Sequence, residues 1–414
     1  MALIKLSRPT ISIAAAFAST ALAQFSLAGL AARALPAADA GFVIWVSGLA
    51  PLFAMAWLGL DKAARAGASQ EGLGRWCARR VAHISLGLLL ALGASGILAT
   101  LAPRALGAMG SDFAGGALGV FMAGVWMSVF ALGALGREAM QGAGRAEELA
   151  WLQCASMGAA LLLSAAALAW SPTASLVLTT WLAPQALACA ALPWALSWRP
   201  AGNVKDHEAA MSPAPDGRER AGYWMLSLAP LLLALAEPVA VAIAAPQDLP
   251  AYAMMGKFPA AMGLFSAGMA AAAWRAWRQA GPTRGSWGEI ASRWGLLGVG
   301  ASGAMGACSS ILAIWLGPLA DPGLDLLFPA CAALCVRGVL EQALSRSWAL
   351  LDDAAAARCH AAVAALAACS CLAGALCWGA SGAMWCSAAS SAVAVAAWSL
   401  VESRLKGANR GSTN

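Results

Sequence analysis

Twelve apolar segments, each about the twenty residues that a bilayer requires, follow one another along this 414-residue chain. They lie near 11–32, 41–60, 82–102, 113–136, 150–170, 173–198, 223–244, 251–274, 294–316, 324–345, 361–378 and 380–401, and each ends at a charge, a Pro or a Gly. Lipid offers the backbone no hydrogen-bonding partner, so only helices or closed barrels cross it. None of these runs alternates with the period of a strand, so they predict helices. The expected fold class is an all-α integral membrane protein, with twelve transmembrane helices in two six-helix lobes around a central cavity. Only 11% of the residues are charged, against about 25% in soluble proteins. That deficit excludes a cytosolic enzyme, a disordered chain and a nucleic-acid-binding domain.

Lys5, Arg8 and the run from Ile11 to Ala21-Leu22-Ala23 imitate a cleavable signal peptide. The apolar run continues through Leu30 and Ala32, so 11–32 is read as a retained first helix. With a cytoplasmic N-terminus, 22 of the 26 Lys and Arg residues fall on inner segments; only Arg33 and Arg104 fall outside, and Lys257 and Arg337 lie within spans. This positive-inside asymmetry places both termini in the cytoplasm. The one long polar stretch, 199–222, carries Pro213 and Pro215 with balanced charges, and reads as a cytoplasmic linker. It separates an N-terminal six-helix lobe, 1–198, from a C-terminal lobe and tail, 223–414. Each half starts inside, so a repeat between them would be parallel. The joining sequences Leu35-Pro36-Ala37-Ala38-Asp39 and Pro246-Gln247-Asp248-Leu249-Pro250 echo one another.

The expected outer loops hold about twelve residues or fewer, too little for the acidic or Arg/His-bearing loop of a lipid-linked-sugar polymerase or ligase. Motifs of metalloprotease, serine-hydrolase, P-loop or dinucleotide type are missing in any soluble setting. Asp352-Asp353 reads as solvated loop charge. Ten of the eleven Cys lie in or beside apolar runs, where Cys acts as a small hydrophobe. Neither Cys331-x3-Cys335 nor Cys359-His360 has a second cluster at metal-ligand spacing. The expectation is a transporter without an ATPase, a catalytic centre, a cofactor or a metal.

Four charges lie inside spans: Glu237, Lys257, Arg337 and Glu341, all in the second half. Each costs about 2.5–3.5 kcal/mol at the centre of an inserted helix, so each should face the bundle interior, a partner or water. At 1.5 Å per residue, Glu237 and Lys257 lie roughly 10 Å and 9 Å below the outer ends of adjacent antiparallel segments. They are either a structural ion pair or cavity charges that meet an anionic substrate or a coupling ion. Pro230 and Pro238 should kink the helix that carries Glu237. Arg337 and Glu341, four apart, share one helix face and can neutralise one another. Gln24 and Gln185 read as interhelical hydrogen-bond partners.

The stretch Ala31-Ala32-Arg33-Ala34-Leu35-Pro36-Ala37-Ala38-Asp39-Ala40-Gly41-Phe42 resembles the first hairpin of polysaccharide flippases of the Wzx type, within the multidrug/oligosaccharidyl-lipid/polysaccharide exporter superfamily. Gly136-Arg137-Glu138 through Arg145 resembles their basic loop between helices four and five. Gln247-Asp248-Leu249-Pro250-Ala251-Tyr252 with Lys257, and Ala273-Trp274-Arg275-Ala276-Trp277, are similar to their eighth helix. Glu237 stands where that family often has an acid, more commonly Asp, and no Arg or Lys cluster lines the first half. The resemblance implies flipping of an undecaprenyl-diphosphate-linked oligosaccharide by alternating access, for surface polysaccharide synthesis. Lys257 and Arg337 would bind the diphosphate, and Glu237 and Glu341 would serve as coupling or ion-pair groups. The implied partners are the lipid-linked substrate, the bilayer, and the polymerase and glycosyltransferases of the pathway. The alternative within the superfamily is a cation-coupled multidrug or metabolite antiporter, with Glu237 as its proton or sodium site.

Overall fold

The computed structural model describes residues 8–47, 145–197, 235–280 and 286–411, with isolated positions between 77 and 140 and at 229, 232 and 233. The segments at 82–102 and 113–136, the end of 41–60, the start of 223–244 and the linker 199–222 fall largely outside the described residues. Every regular element among the described residues is helical. Packing divides the chain into two compact units, 1–231 and 232–414.

In the first unit, α1 (Arg8–Ala34) meets Pro36 and gives way to α2 (Ala37–Ser47), whose first turn carries Asp39. Pro biases the residue before it away from helical angles, which ends α1 there. The helices α3 (Ala146–Trp170) and α4 (Ala174–Ser197) are separated by Ser171–Thr173. Polar atoms fasten these helices where hydrocarbon offers none. Gln153 Nε2 donates to Thr20 Oγ1 across α3 and α1 at 2.9 Å, and Ser164 meets Thr180 across α3 and α4 at 3.3 Å. Trp151 and Trp170, near the two ends of α3, are exposed, as amphipathic rings in a headgroup layer would be.

The second unit begins with the described part of α5 (Leu235–Ala244), followed by a 3-10 turn over Pro246–Asp248. Then come α6 (Leu249–Met255) and α7 (Lys257–Ala280), nearly continuous through Gly256. The helices α8 (Trp287–Ala307) and α9 (Ser309–Leu316) are bent by 73° at Cys308, a break absent from the sequence expectation of one span over 294–316. A short turn of helix over Ala320–Leu324 leads to α10 (Leu327–Leu350), and α11 (Asp353–Gly411) closes the chain.

The long element α11 is interrupted at Trp378–Gly379, where Gly379 has φ +62°. A side chain there would be strained, and its Cβ would approach Asp248 Oδ2. The same carboxylate oxygen accepts the Ala380 amide at 3.0 Å and caps the second limb. The interruption separates 361–378 from 380–401 where the apolar pattern divides them. The limbs pack closely at Gly374 and Gly382, each lying against the other's carbonyl.

Among the described residues, three helices are long and apolar enough to cross a membrane: 147–170, 327–350 and the interrupted 354–405; the bent α8–α9 pair makes a fourth. Leu296, Leu297, Ile311, Ile314 and Phe328 are exposed, which suits a surface solvated by lipid. Trp294, by contrast, is buried. Its ring packs into a core of Trp287, Val339, Ala343 and Trp398, edge-on to Phe265 at 5.5 Å.

Candidate functional site

Among the described charges of the second unit, Arg337 on α10 acts on Glu237 of α5 and pairs with Glu341. Glu237 precedes Pro238, whose missing amide leaves one helical carbonyl without its donor. The helix is continuous over 235–244, and the expected kink between Pro230 and Pro238 lies partly outside the described residues. The Glu237 carboxylate accepts hydrogen bonds from the Tyr252 hydroxyl on α6 and the Ser387 hydroxyl on the second limb of α11. The Arg337 charge on α10 acts on it as well. Cys371, on the first limb of α11, hydrogen-bonds Ser387 and completes the surroundings. A carboxylate at this depth persists only if such donors replace its water.

Arg337 holds two relationships at once. Its Nη2 pairs with Glu341 Oε1 at 3.1 Å, with the side chains 17% and 16% exposed, so the expected shared face is present. Its stem lies across Gly263 of α7, where an added Cβ would come within 3.1 Å of Cγ and Nε. Glycine at that position lets α7 and α10 approach with the guanidinium between them. One turn further in, Gln342 Nε2 donates to the Ser266 carbonyl at 2.8 Å and the Ser266 hydroxyl donates to the Gly338 carbonyl at 2.6 Å, locking the two helices in register.

Lys257 opens α7 and is half-buried. Gln24 is half-buried in α1, and Gln185 donates to the Trp181 carbonyl of its own helix at 2.7 Å. Interhelical amide bonds come instead from Gln153 and Gln342. Sequence reasoning passed over Tyr252, Ser387 and Cys371 as lining groups. Two signals were available: the chain has only two Tyr, both within expected spans, and Ser387, Ser390 and Ser391 set hydroxyls on one helix face.

Arg346 is a clearer departure. It was counted with the inner loop charges, yet it is fully buried in α10. Its Nε and Nη2 donate to the two oxygens of Glu402, both at 2.9 Å, and its guanidinium lies 5.4 Å from the Trp277 ring centroid. The helices α10 and α11 run past the apolar limits read at 345 and 401, and carry this pair into the protein.

A groove of about 490 Å³ at the α8–α9 bend, lined by Val299, Phe328, Cys331 and Cys335 among others, contains no charged group. Ser302 binds the Cys331 carbonyl there at 3.0 Å. The His360 Nε2 is 3.0 Å from both the Leu344 carbonyl and the Ser347 hydroxyl, so the ring is tied to α10. Among the described residues no three His, Cys, Asp or Glu side chains converge as metal ligands.

No family profile matches the sequence, and no curated protein matches it. The structure does have solved neighbours. An outward-facing multidrug resistance MATE family transporter of the MOP superfamily aligns with a TM-score of 0.64 and 14% identity, over 97% of this chain and 95% of its own. An inward-facing transporter of the same description aligns at 0.59 and 12%, over 100% and 98%. A MATE structure in complex with MaD3S aligns at 0.63 and 14%, over 98% of each chain. This chain has their fold. It is an all-helical, multi-pass membrane protein, and its structural neighbours are transporters.

Proposed function

We propose that this protein is an alternating-access exporter, a cation-coupled antiporter of multidrug or metabolite type. It resides in the bacterial inner membrane with both termini cytoplasmic. The observation that carries the reading is Glu237. It is an acid within a span, cradled by two hydroxyl donors and a guanidinium, in a fold shared end to end with transporters seen both inward-facing and outward-facing. Such an acid can load a cation on one side and release it on the other, provided the two states differ in access. Glu237 is the ion-coupling residue, and Glu341 neutralises Arg337.

A second reading is favoured by the pair of cations on the packed helices α7 and α10, Lys257 and Arg337, together with the sequence patterns at 31–42 and 247–257. Under it, the cargo is a lipid-linked oligosaccharide whose diphosphate meets Lys257 and Arg337, and the partners are a polymerase and glycosyltransferases of the same pathway. One experiment separates the two. The wild-type chain, Glu237→Gln and Lys257→Ala are expressed at matched membrane abundance in a host lacking its main efflux pumps and in a flippase-deficient host. The antiporter reading expects lower ethidium accumulation with wild type, return to the empty-vector level with Glu237→Gln, and retained efflux with Lys257→Ala. Restored surface polysaccharide that Lys257→Ala abolishes, with no effect on ethidium, transfers the assignment to the flippase.

A further inference from the structure

We infer that Cys331 and Cys335 form a dithiol site in the groove at the α8–α9 bend, and that this site takes a trivalent arsenical carrying an apolar organic group. The arsenic bridges the two sulfurs, and the organic group lies in the groove. The site shares no residue with the surroundings of Glu237, so the inference stands apart from the antiporter reading.

Four residues apart on α10, the two cysteines share one helix face, with Cβ atoms about 5–6 Å apart. Both thiols are free, and both turn to the same residue of α8. Cys331 Sγ donates to the Ser302 carbonyl at 3.7 Å, and Cys335 Sγ lies 3.3 Å from the Ser302 hydroxyl. That hydroxyl also donates to the Cys331 carbonyl at 3.0 Å, which ties α8 to α10 beside the thiols. A Cβ at Gly298 would fall 2.7 Å from Cys335 Cα, so the two backbones already touch there. The groove, of about 490 Å³, is lined by both cysteines and by the exposed Val299 and Phe328, with no charged group. Gly303 and Gly306 line it from α8, and a Cβ at either would meet nothing within 4 Å.

A disulfide needs Cβ atoms about 3.5–4.5 Å apart, closer than this spacing brings them, so the pair persists as two thiols while α10 is intact. One atom inserted between the sulfurs closes the gap. Sulfur ligands favour soft centres, and the uncharged groove selects among them. A monovalent soft cation on two thiolates would leave a net negative charge, which apolar surroundings disfavour. A trivalent organoarsenical avoids that cost. In its hydrated form, arsenic carries the organic group and two hydroxyls. Each thiol gives its proton to a departing hydroxyl, two waters leave, and two As–S bonds replace two As–O bonds. The arsenic stays trivalent and the product is uncharged. The organic group then buries its apolar surface beside Phe328 and the open face of Gly303. A bare soft dication would also give an uncharged product, but it would leave the groove unfilled.

The test exposes the purified full-length chain to phenylarsine oxide, alkylates the thiols left free, and maps Cys331 and Cys335 by peptide mass spectrometry. The two should be protected together, with one arsenic per pair. Dimercaptopropanol, a dithiol, should restore their alkylation, and the same thiol concentration of mercaptoethanol should not. Cys331→Ser or Cys335→Ser should weaken binding at the remaining thiol by roughly a hundredfold, since the second bond is no longer an intramolecular one. Inorganic arsenite, which lacks the organic group, should bind wild type about tenfold more weakly. Gly303→Leu, which fills the groove without touching the thiols, should erase that difference. Independent reaction of the two thiols, or undiminished binding in either serine variant, would overturn the inference. Arsenite bound as tightly as phenylarsine oxide would overturn it too, because the groove would then take no part. The wild-type comparison of the two arsenicals decides the groove's role even if Gly303→Leu does not fold.

Discussion

Arg346 and Glu402 show how a single pair can outweigh a loop full of surface charge. Both are fully buried, and two parallel hydrogen bonds of 2.9 Å join them. Removing one partner strands the other charge in a low-dielectric interior, at a cost of about 3–5 kcal/mol. Arg346→Met or Glu402→Leu alone should therefore lower the unfolding temperature of the purified protein sharply. The double change should recover most of the loss, because apolar groups of similar volume replace a pair whose desolvation nearly cancels its attraction. Equal losses in the single and double variants would show that packing against Trp277, and not charge, dominates. At this scale the sequence was only partly legible. The acid of the site and its two basic candidates stood out because a charge in an apolar run is rare. Tyr252 and Ser387 did not, since hydroxyls are common in spans and their function depends on which face meets Glu237. Arg346 was misplaced because the apolar pattern stops at 345, whereas the helix continues to Leu350.

Elements were far more legible than their junctions. The limits read at 11–32, 150–170 and 173–198 fall within a few residues of α1, α3 and α4, because span length is set by the bilayer and ends are marked by charge, Pro or Gly. The division between 361–378 and 380–401 coincides with Trp378–Gly379, although almost no polar residue marks it. The bend at Cys308 gave no comparable signal, since neither Pro nor a charge stands there. Glycines that look alike in sequence differ in the fold. At Gly382 an added methyl would meet the carbonyl of Gly374, whereas at Gly300 nothing lies within 4 Å. Gly382→Ala should therefore reduce folded yield and unfolding temperature by forcing the hairpin apart. Gly300→Ala should be neutral or stabilising by up to about 1 kcal/mol from helix propensity. Matched thermal melts in one detergent decide it, and equal effects at the two positions would remove the close packing of the limbs from the account.

For the whole molecule, fold and function rest on different kinds of evidence. Structural likeness at 11–14% identity over nearly the full length establishes the fold, while the work the fold performs depends on its sites. The functional account therefore depends on Glu237 and its neighbours: under the proposed antiporter reading, this site must drive solute movement against a gradient. The most direct measurement uses the purified chain reconstituted in lipid vesicles, with ethidium on one side and a proton gradient imposed across the membrane. The account predicts that the gradient drives ethidium opposite to the proton flow, that collapsing it with a protonophore stops the movement, and that Glu237→Gln vesicles of equal protein content do not respond. Gradient-driven ethidium movement of equal size in Glu237→Gln vesicles would contradict it.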